Sequence, residues 1–152
     1  MFMDRAIELS NEGMNRGEGG PFGACIVLDG KIIAEGNNRV IIDNDPTAHA
    51  EVVAIRRAAE TLNRFDLSDC EIYTSCEPCP MCLGSIYWAR LKAVYYANDH
   101  TDAARIGFDD SLIYDELATP IHDRQIHFEK IDNPRATEVF DQWAAKTDKT
   151  RY

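Results

Sequence analysis

The sequence lacks two features that would point to a membrane or a nucleic acid as partner. It has no apolar run long enough to span a bilayer, and its first residues do not resemble a signal peptide. It is also short of positive charge, since 26 Asp and Glu outnumber 16 Lys and Arg and give a net charge of −10. Proteins that bind nucleic acid usually carry a basic patch that neutralises phosphates. The composition therefore favours a small, uncharged substrate, with no nucleic acid and no membrane as partner.

The cysteines do not form the pattern of a disulfide framework. There are five, an odd number, and Cys76, Cys79 and Cys82 stand at equal three-residue intervals. Free thiols persist in a reducing compartment, so the expected location is the cytoplasm. Three clustered thiols can hold a metal ion, begin an iron–sulfur site, form a redox pair or lie in a core.

The apolar pattern predicts one domain, residues 1–152, in which strands and helices alternate. Two apolar runs flank Asp29-Gly30, a strong hairpin pattern, and Thr47 is the predicted N-cap of a helix. The alternation favours a mixed sheet with helices on both faces. Besides the hairpin, the predicted strands are 71–75, 93–98 and 126–129, and the predicted helices are 3–15, 48–62, 78–90, 111–117 and 134–146.

Two of the predicted helix starts carry residues that suggest chemistry. His49 and Glu51 open one helix, and Cys79 and Cys82 open the next. Helix N-termini lower the pKa of thiols, which favours the thiolates that a metal requires. One histidine and two cysteines would give zinc three protein ligands and leave the fourth position for water, as in catalytic zinc sites.

Glu51 adds an acid–base group to these ligands. It follows His49 by two residues, about 200° around an ideal helix, so both can face one site only if that site lies off the helix end. A site between two helix N-termini meets this condition. A carboxylate beside a zinc-activated water can take its proton and deliver it elsewhere. His49-Ala50-Glu51 together with Pro78-Cys79-Pro80-Met81-Cys82 is the pattern typical of zinc nucleobase deaminases.

Other interpretations of these residues have weaker support. A lone histidine near a helix start usually caps or packs, and a lone C-x-x-C can be a redox pair. An iron–sulfur site needs a fourth cysteine nearby, but Leu83 to Ile86 follow Cys82, and Cys70 could supply it only from across the strand. A non-catalytic zinc-stabilised binding module would keep the ligands but would have no use for Glu51.

The sequence resembles the cytidine deaminase superfamily, and within it the bacterial guanine deaminases, over nearly its whole length. The resemblance implies a three-layer α/β/α sandwich around a five-stranded mixed sheet. It also implies a homodimer, in which an exchanged C-terminal segment would close the partner's site. The segments that carry it are GGPFGACIV (19–27), GNNRV (36–40), NDPTAHAEV (44–52), TSCEPCPMCLGSIYWAR (74–90), DAARIGFDDSLIY (102–114) and the terminal Tyr152.

The same resemblance implies a role for individual residues. His49, Cys79 and Cys82 match the ligands of one zinc ion per subunit, and Glu51 matches the proton shuttle. Asp110 matches an acidic residue near the reacting amino group. The residues implied in binding the purine or closing the pocket are Phe22, Asn38, Ala50, Asp110 and Tyr152.

Elementary chemistry agrees with two of these assignments. The Asn38 amide offers a donor and an acceptor in one plane, which suits a purine edge. A carboxylate such as Asp110 accepts from N–H donors, which guanine has and xanthine partly lacks. Structural alternatives are that Asn38 shapes a turn, that Phe22 packs in the core, and that Asp109 or Asp110 caps the helix near Ser111. Residues predicted to have only packing or surface roles are Trp88, Trp143, His100, His122 and His127.

The expected reaction is the hydrolytic deamination of guanine to xanthine and ammonia, with zinc-bound hydroxide as nucleophile and Glu51 moving protons. The alternatives are a tRNA adenosine deaminase, which shares both motifs, and a deaminase of cytosine or another amino-azine. The acidic balance and the GFDDS segment favour guanine over an anionic stem-loop.

Cys76 is predicted to be a neighbour of the metal and not a ligand. Three protein ligands are already present, and a third thiolate would occupy the position that water needs. Relatives with leucine at this position, as in T-L-E-P-C, point the same way.

Overall fold

The computed structural model describes residues 1–151, which form two compact units, Met1–Leu112 and a second that begins at Ile113. Four strands are present in the described chain, β1 (Gly23–Leu28), β2 (Lys31–Asn37), β3 (Glu71–Cys76) and β4 (Ala93–Asn98). The helices are α1 (Phe2–Asn15), α2 (Ala50–Leu62), α3 (Pro80–Trp88), α4 (His100–Arg105), α5 (Ser111–Ala118) and α6 (Pro134–Ala145), with a 3₁₀ turn at Ile121–Asp123. Within residues 1–151, no helix is long and apolar enough to cross a membrane.

The first unit is built on a mixed sheet with the strand order β2-β1-β3-β4. Strand β1 is antiparallel to both of its neighbours, whereas β3 and β4 run parallel. The predicted hairpin joins β1 to β2, and its turn residues Asp29 and Gly30 both have positive φ, 49° and 73°. This conformation matches the twist of a two-residue hairpin, which explains why Asp-Gly marks it in the sequence.

Alternation along the strands places one helical layer on each face of the sheet. On one face, the Cys25 thiol lies 3.5 Å from the Phe2 carbonyl oxygen, and the Phe2 and Tyr73 rings lie 5.2 Å apart, so α1 packs here. On the other face α2 is so close that a Cβ on Gly36 would lie 2.4 Å from the Ala50 carbonyl oxygen. A hydrophobic core cluster lies on this second face, between the sheet, α2 and α3; it includes Ala24, Ile26, Ala54, Ile72 and Ile86. The predicted three-layer α/β/α architecture is confirmed.

The prediction of five strands is wrong, because the described sheet has four. The missing strand is the one expected at 126–129, where the side chains are exposed and the backbone is irregular. Local contacts take the place of strand pairing: the Gln125 N–H donates to the Glu116 carboxylate at 3.1 Å, and the Arg124 guanidinium lies over the Phe128 ring.

The clearest differences from the predicted helices are the cap of α2 and the presence of α4. The N-cap of α2 is His49 and not Thr47, since the Thr47 N–H and hydroxyl both donate to Asp45, at 2.8 and 2.7 Å. Helix α4 was not predicted. The sequence feature that indicates this helix is the pair Asp99 and Asp102, which form a reciprocal capping box at its first turn.

Candidate active site

His49, Cys79 and Cys82 lie together between the starts of α2 and α3. Their ligand atoms are all within 4.8 Å of one another, and the His49 Nδ1 atom is 3.5 Å from each of the two sulfur atoms. In a tetrahedral site, zinc bonds of about 2.3 Å to sulfur and 2.0–2.1 Å to nitrogen require an S···N separation of about 3.5–3.6 Å. The three side chains therefore fit one zinc ion.

Helix capping geometry brings these three ligands together. His49 and Cys79 are the N-cap residues of α2 and α3, and both have extended backbones, with ψ of 155° and 167°. Pro80 fills the first position of α3, where a missing N–H costs nothing. Cys82, three residues after Cys79, then reaches back over the helix start. The two extended N-caps turn their side chains toward the space between the helices.

The pKa values of the three ligand side chains depend on one another, and Cys79 is favoured as a thiolate, the form that binds a metal cation. A hydrogen bond from the Cys82 thiol, together with His49, lowers the pKa of Cys79 to about 4. The Cys79 sulfur in turn raises the pKa of His49, and the same sulfur and burial raise the pKa of Cys82. A divalent metal bound here would displace the Cys82 thiol proton and bind both sulfur atoms as thiolates.

Glu51 lies in the second position of α2, with its carboxylate almost fully buried beside the ligands. Its Oε2 accepts from the Cys82 thiol at 3.4 Å, and its Oε1 accepts from the Thr74 hydroxyl at 3.3 Å. Burial raises the pKa of Glu51 above its usual range. A buried carboxylate of raised pKa next to a metal group is suited to accept and donate protons.

Phe22 and Asn38 lie at the ends of β1 and β2. The Asn38 N–H donates to the Phe22 carbonyl oxygen at 2.9 Å, and Arg39 N–H donates to the Ala48 carbonyl oxygen next to His49. The Asn38 side chain is buried, and its Oδ1 accepts from the Val40 N–H at 3.2 Å. This bond shapes the turn and restrains the orientation of the Asn38 amide.

Phe22 forms an edge-to-face pair with Phe108, with 4.9 Å between the ring centroids. It also packs against the core cluster, so the structural alternative for Phe22 holds in part. The space beside the two rings is tight, because a Cβ on Gly20 would lie 2.7 Å from the Phe108 ring. The two rings therefore form one aromatic wall, with no room for a side chain at Gly20.

Asp110 is half-buried, and the side chain that accepts a backbone N–H at the start of α5 is Asp109, whose Oδ1 lies 2.9 Å from the Ser111 N. Burial raises the pKa of Asp110, and the nearby Cys79 sulfur raises it further. Asp110 therefore lies close enough to the His49, Cys79 and Cys82 group to interact electrostatically with Cys79. His100, which the sequence left without a partner, lies 3.0 Å from the Glu77 carboxylate.

The remaining predicted residues have a less direct relation to the site. Ala50 is fully buried, with its carbonyl oxygen against Gly36. Tyr152 lies outside the described residues. Cys76 is buried, its sulfur lies 3.6 Å from the Asp99 carbonyl oxygen, and burial raises its pKa to about 11. Of the tryptophans predicted to pack in a core or a dimer interface, Trp88 is 73% exposed and Trp143 is 46% exposed.

Sequence reasoning missed two residues of this site. Thr74 is buried on β3, yet its hydroxyl orients the Glu51 carboxylate, and only strand alternation toward α2 could have indicated it. Phe108 lies in the GFDDS segment that the resemblance used, but its pairing with Phe22 depends on how the chain folds.

Comparison with known proteins gives one family and relatives that match nearly the whole chain. The profile of the cytidine and deoxycytidylate deaminase zinc-binding region matches residues 1–98. The guanine deaminase of Bacillus subtilis (strain 168) is 56% identical over 151 residues, which cover 99% of this chain and 97% of that protein. A crystal structure of guanine deaminase from Bacillus subtilis superposes with a TM-score of 0.97 and covers 99% of this chain and 96% of its own.

Two more distant relatives bear on the choice of substrate. The tRNA-specific adenosine deaminase of Aquifex aeolicus is 31% identical over 146 residues, 95% of this chain and 93% of that protein. A crystal structure in complex with 2,6-diaminopurine is 36% identical, with a TM-score of 0.69, and covers 72% of this chain and 61% of its own. That structure binds a purine base within the same fold.

Proposed function

Because the chain belongs to the zinc-binding family of cytidine and deoxycytidylate deaminases, we propose that it converts guanine and water to xanthine and ammonia. The observation that carries the proposal is the buried Glu51 carboxylate, 3.4 Å from a sulfur of the His49, Cys79 and Cys82 group. A group of three ligands supports catalysis and not only structure when an acid–base residue lies beside it.

Zinc is the cofactor. His49, Cys79 and Cys82 would hold it, and it would supply a water whose pKa is lowered to about 7. In the proposed reaction a C–O bond forms at the purine carbon that carries the amino group, and the C–N bond to that group breaks. Glu51 takes a proton from the water and passes it to the neighbouring ring nitrogen. It then takes the second proton and delivers it to the departing amine, so that ammonia leaves and the keto group of xanthine remains.

The side chains around the metal group have complementary roles in this proposal. The Asn38 amide donates to the purine edge, and the Phe22–Phe108 wall packs on the ring. Asp110 accepts from the purine N–H groups near the reacting carbon. The Thr74 hydroxyl holds the Glu51 carboxylate in place while its other oxygen handles protons. All of these residues lie in the first compact unit.

Two observations favour guanine over adenosine in tRNA. The full-length identity is 56% to the Bacillus subtilis guanine deaminase and 31% to the Aquifex aeolicus tRNA deaminase. The net charge of −10 also opposes binding of a polyanionic stem-loop, because such binding depends on basic contacts to phosphates.

The test of substrate choice is ammonia release by the zinc-loaded protein with guanine, cytosine, adenosine and a tRNA anticodon stem-loop in parallel. We expect guanine to be deaminated with the highest kcat/KM. A higher kcat/KM for the stem-loop would replace the proposal by tRNA editing, and no ammonia from any substrate would favour a non-catalytic zinc module.

We further propose a cytoplasmic homodimer with exchanged C-terminal segments. The support is that α3 carries Leu83, Tyr87 and Trp88 on its exposed side, an apolar face that a second subunit would cover. The five cysteines are free thiols, as a reducing compartment would keep them. Light scattering is expected to give twice the mass of one chain, and a monomeric mass would rule the dimer out.

A further inference from the structure

Glu18, in the turn between α1 and β1, contacts the chain on both sides of Asn38. Its carboxylate accepts from the Arg16 guanidinium at 2.8 Å and from the Asn37 amide at 2.7 Å. The same carboxylate pairs with Arg39 at 3.5 Å. The Glu18 carboxylate therefore contacts both Asn37, the residue before Asn38, and Arg39, the residue after it.

The backbone of Glu18 extends this contact. Its carbonyl oxygen accepts from the Ile41 N–H at 3.2 Å and from the Ile42 N–H at 3.1 Å. Side chain and main chain of Glu18 thus hold the segment 37–42, which we call the asparagine segment, at four of its six residues. Such a concentration of bonds from one residue indicates a position that has to be fixed.

Asn38 has little freedom within the asparagine segment. A Cβ on Gly19, the residue after Glu18, would lie 2.1 Å from the Asn38 Oδ1 atom and 2.6 Å from its carbonyl oxygen. The Asn37 amide donates to that same carbonyl oxygen at 3.1 Å while it donates to Glu18. A shift of the Glu18 carboxylate therefore moves Asn37 and, through it, the backbone of Asn38.

We propose that Glu18 is the positioning residue that aims the Asn38 amide at the purine. The inference rests on the proposed function, since only a bound purine gives the amide its ligand. Loss of Glu18 should weaken purine binding and leave the chemical step nearly intact, because Glu51 is held separately by α2 and Thr74. The hydrogen bonds of Glu18 with Arg16 and Asn37 lower its pKa to about 2, so the carboxylate is charged at neutral pH.

The experiment compares the wild type with Glu18→Ala, Glu18→Gln and the control Glu12→Gln, all zinc-loaded. Glu12 lies on α1, where its carboxylate pairs with Arg16 at 3.6 Å and with Arg5 at 3.0 Å. Its replacement therefore matches the charge change without touching the asparagine segment. The measured quantities are KM and kcat for guanine, the Kd of the product xanthine by calorimetry, zinc content and Tm.

We expect Glu18→Ala to raise KM and the xanthine Kd by about 3- to 10-fold, as for one lost hydrogen bond, with kcat within about 2-fold. Glu18→Gln should give a smaller rise, because its amide oxygen can still accept one bond. The control should keep wild-type KM and Kd. The Glu18→Gln variant carries the test if Glu18→Ala does not fold.

The inference is overturned if the Glu18 variants keep wild-type KM and Kd, even with a lower Tm, since that result describes a merely structural residue. It is equally overturned if kcat and zinc content fall together. Failure of the proposed function looks different, because the wild type itself would then release no ammonia from guanine.

Discussion

Replacement of Glu51 by glutamine is expected to lower kcat for guanine by about 10²–10⁴-fold, the usual effect of removing a positioned acid–base group. Glutamine has nearly the same shape and keeps an oxygen that can accept from the Thr74 hydroxyl. It cannot take a proton from water or deliver one to the leaving amine. Zinc should remain bound in a stoichiometric amount, because His49, Cys79 and Cys82 are unchanged.

The matched control for this variant is Glu60→Gln, which makes the same chemical change on the same helix. Glu60 lies near the end of α2 and is exposed, so its replacement should leave kcat and zinc content at wild-type values. Steady-state rates and metal analysis of the two variants separate the proton role of Glu51 from a general effect on α2. Normal turnover in Glu51→Gln would remove the proposed mechanism.

Replacement of Cys79 by alanine is expected to abolish stoichiometric zinc binding and, with it, deamination. Cys79 carries the lowered thiol pKa and lies 3.5 Å from the His49 nitrogen, so it supplies the thiolate of the group. Removing a ligand leaves two, and two ligands do not hold catalytic zinc against dialysis. The measurement is zinc per chain after dialysis against buffer, with circular dichroism as a check on folding.

Cys76→Ala is the matched control, since it removes a buried thiol three residues away. The Cys76 sulfur lies against the Asp99 carbonyl oxygen, and among the described residues it is not a member of the metal group. This variant should keep one zinc per chain. Loss of zinc from Cys76→Ala, or full zinc content in Cys79→Ala, would show that the ligands are wrongly assigned.

Much of the site could be predicted because its parts are encoded locally. The proline after Cys79 marks the start of α3, and Asp29-Gly30 marks the hairpin, each through the backbone conformation that those residues favour. The spacing of His49 and Glu51 also predicted that their side chains could meet only at a site beyond the helix end. The structure gives the reason, since His49 is an extended N-cap and the helix itself starts at Ala50.

The parts that could not be predicted depend on contacts distant in sequence. Thr74 and Glu51 are 23 residues apart in sequence, and Glu18 and Asn37 are 19 apart. No local sequence pattern therefore indicates either hydrogen bond. The Thr47 prediction failed because Asp45 competes for its hydroxyl two residues away. The expected strand at 126–129 failed because alternation alone does not supply a neighbouring strand.

If this site adds water to guanine and releases ammonia, the oxygen of the new keto group in xanthine comes from solvent. The most direct measurement is mass spectrometry of the product after the zinc-loaded protein has turned over guanine in ¹⁸O-labelled water. We expect xanthine that carries one ¹⁸O atom, formed in equal amount with ammonia and at a much lower rate in Glu51→Gln. Guanine recovered unchanged, while an adenosine in a tRNA stem-loop is converted to inosine under the same conditions, would contradict it.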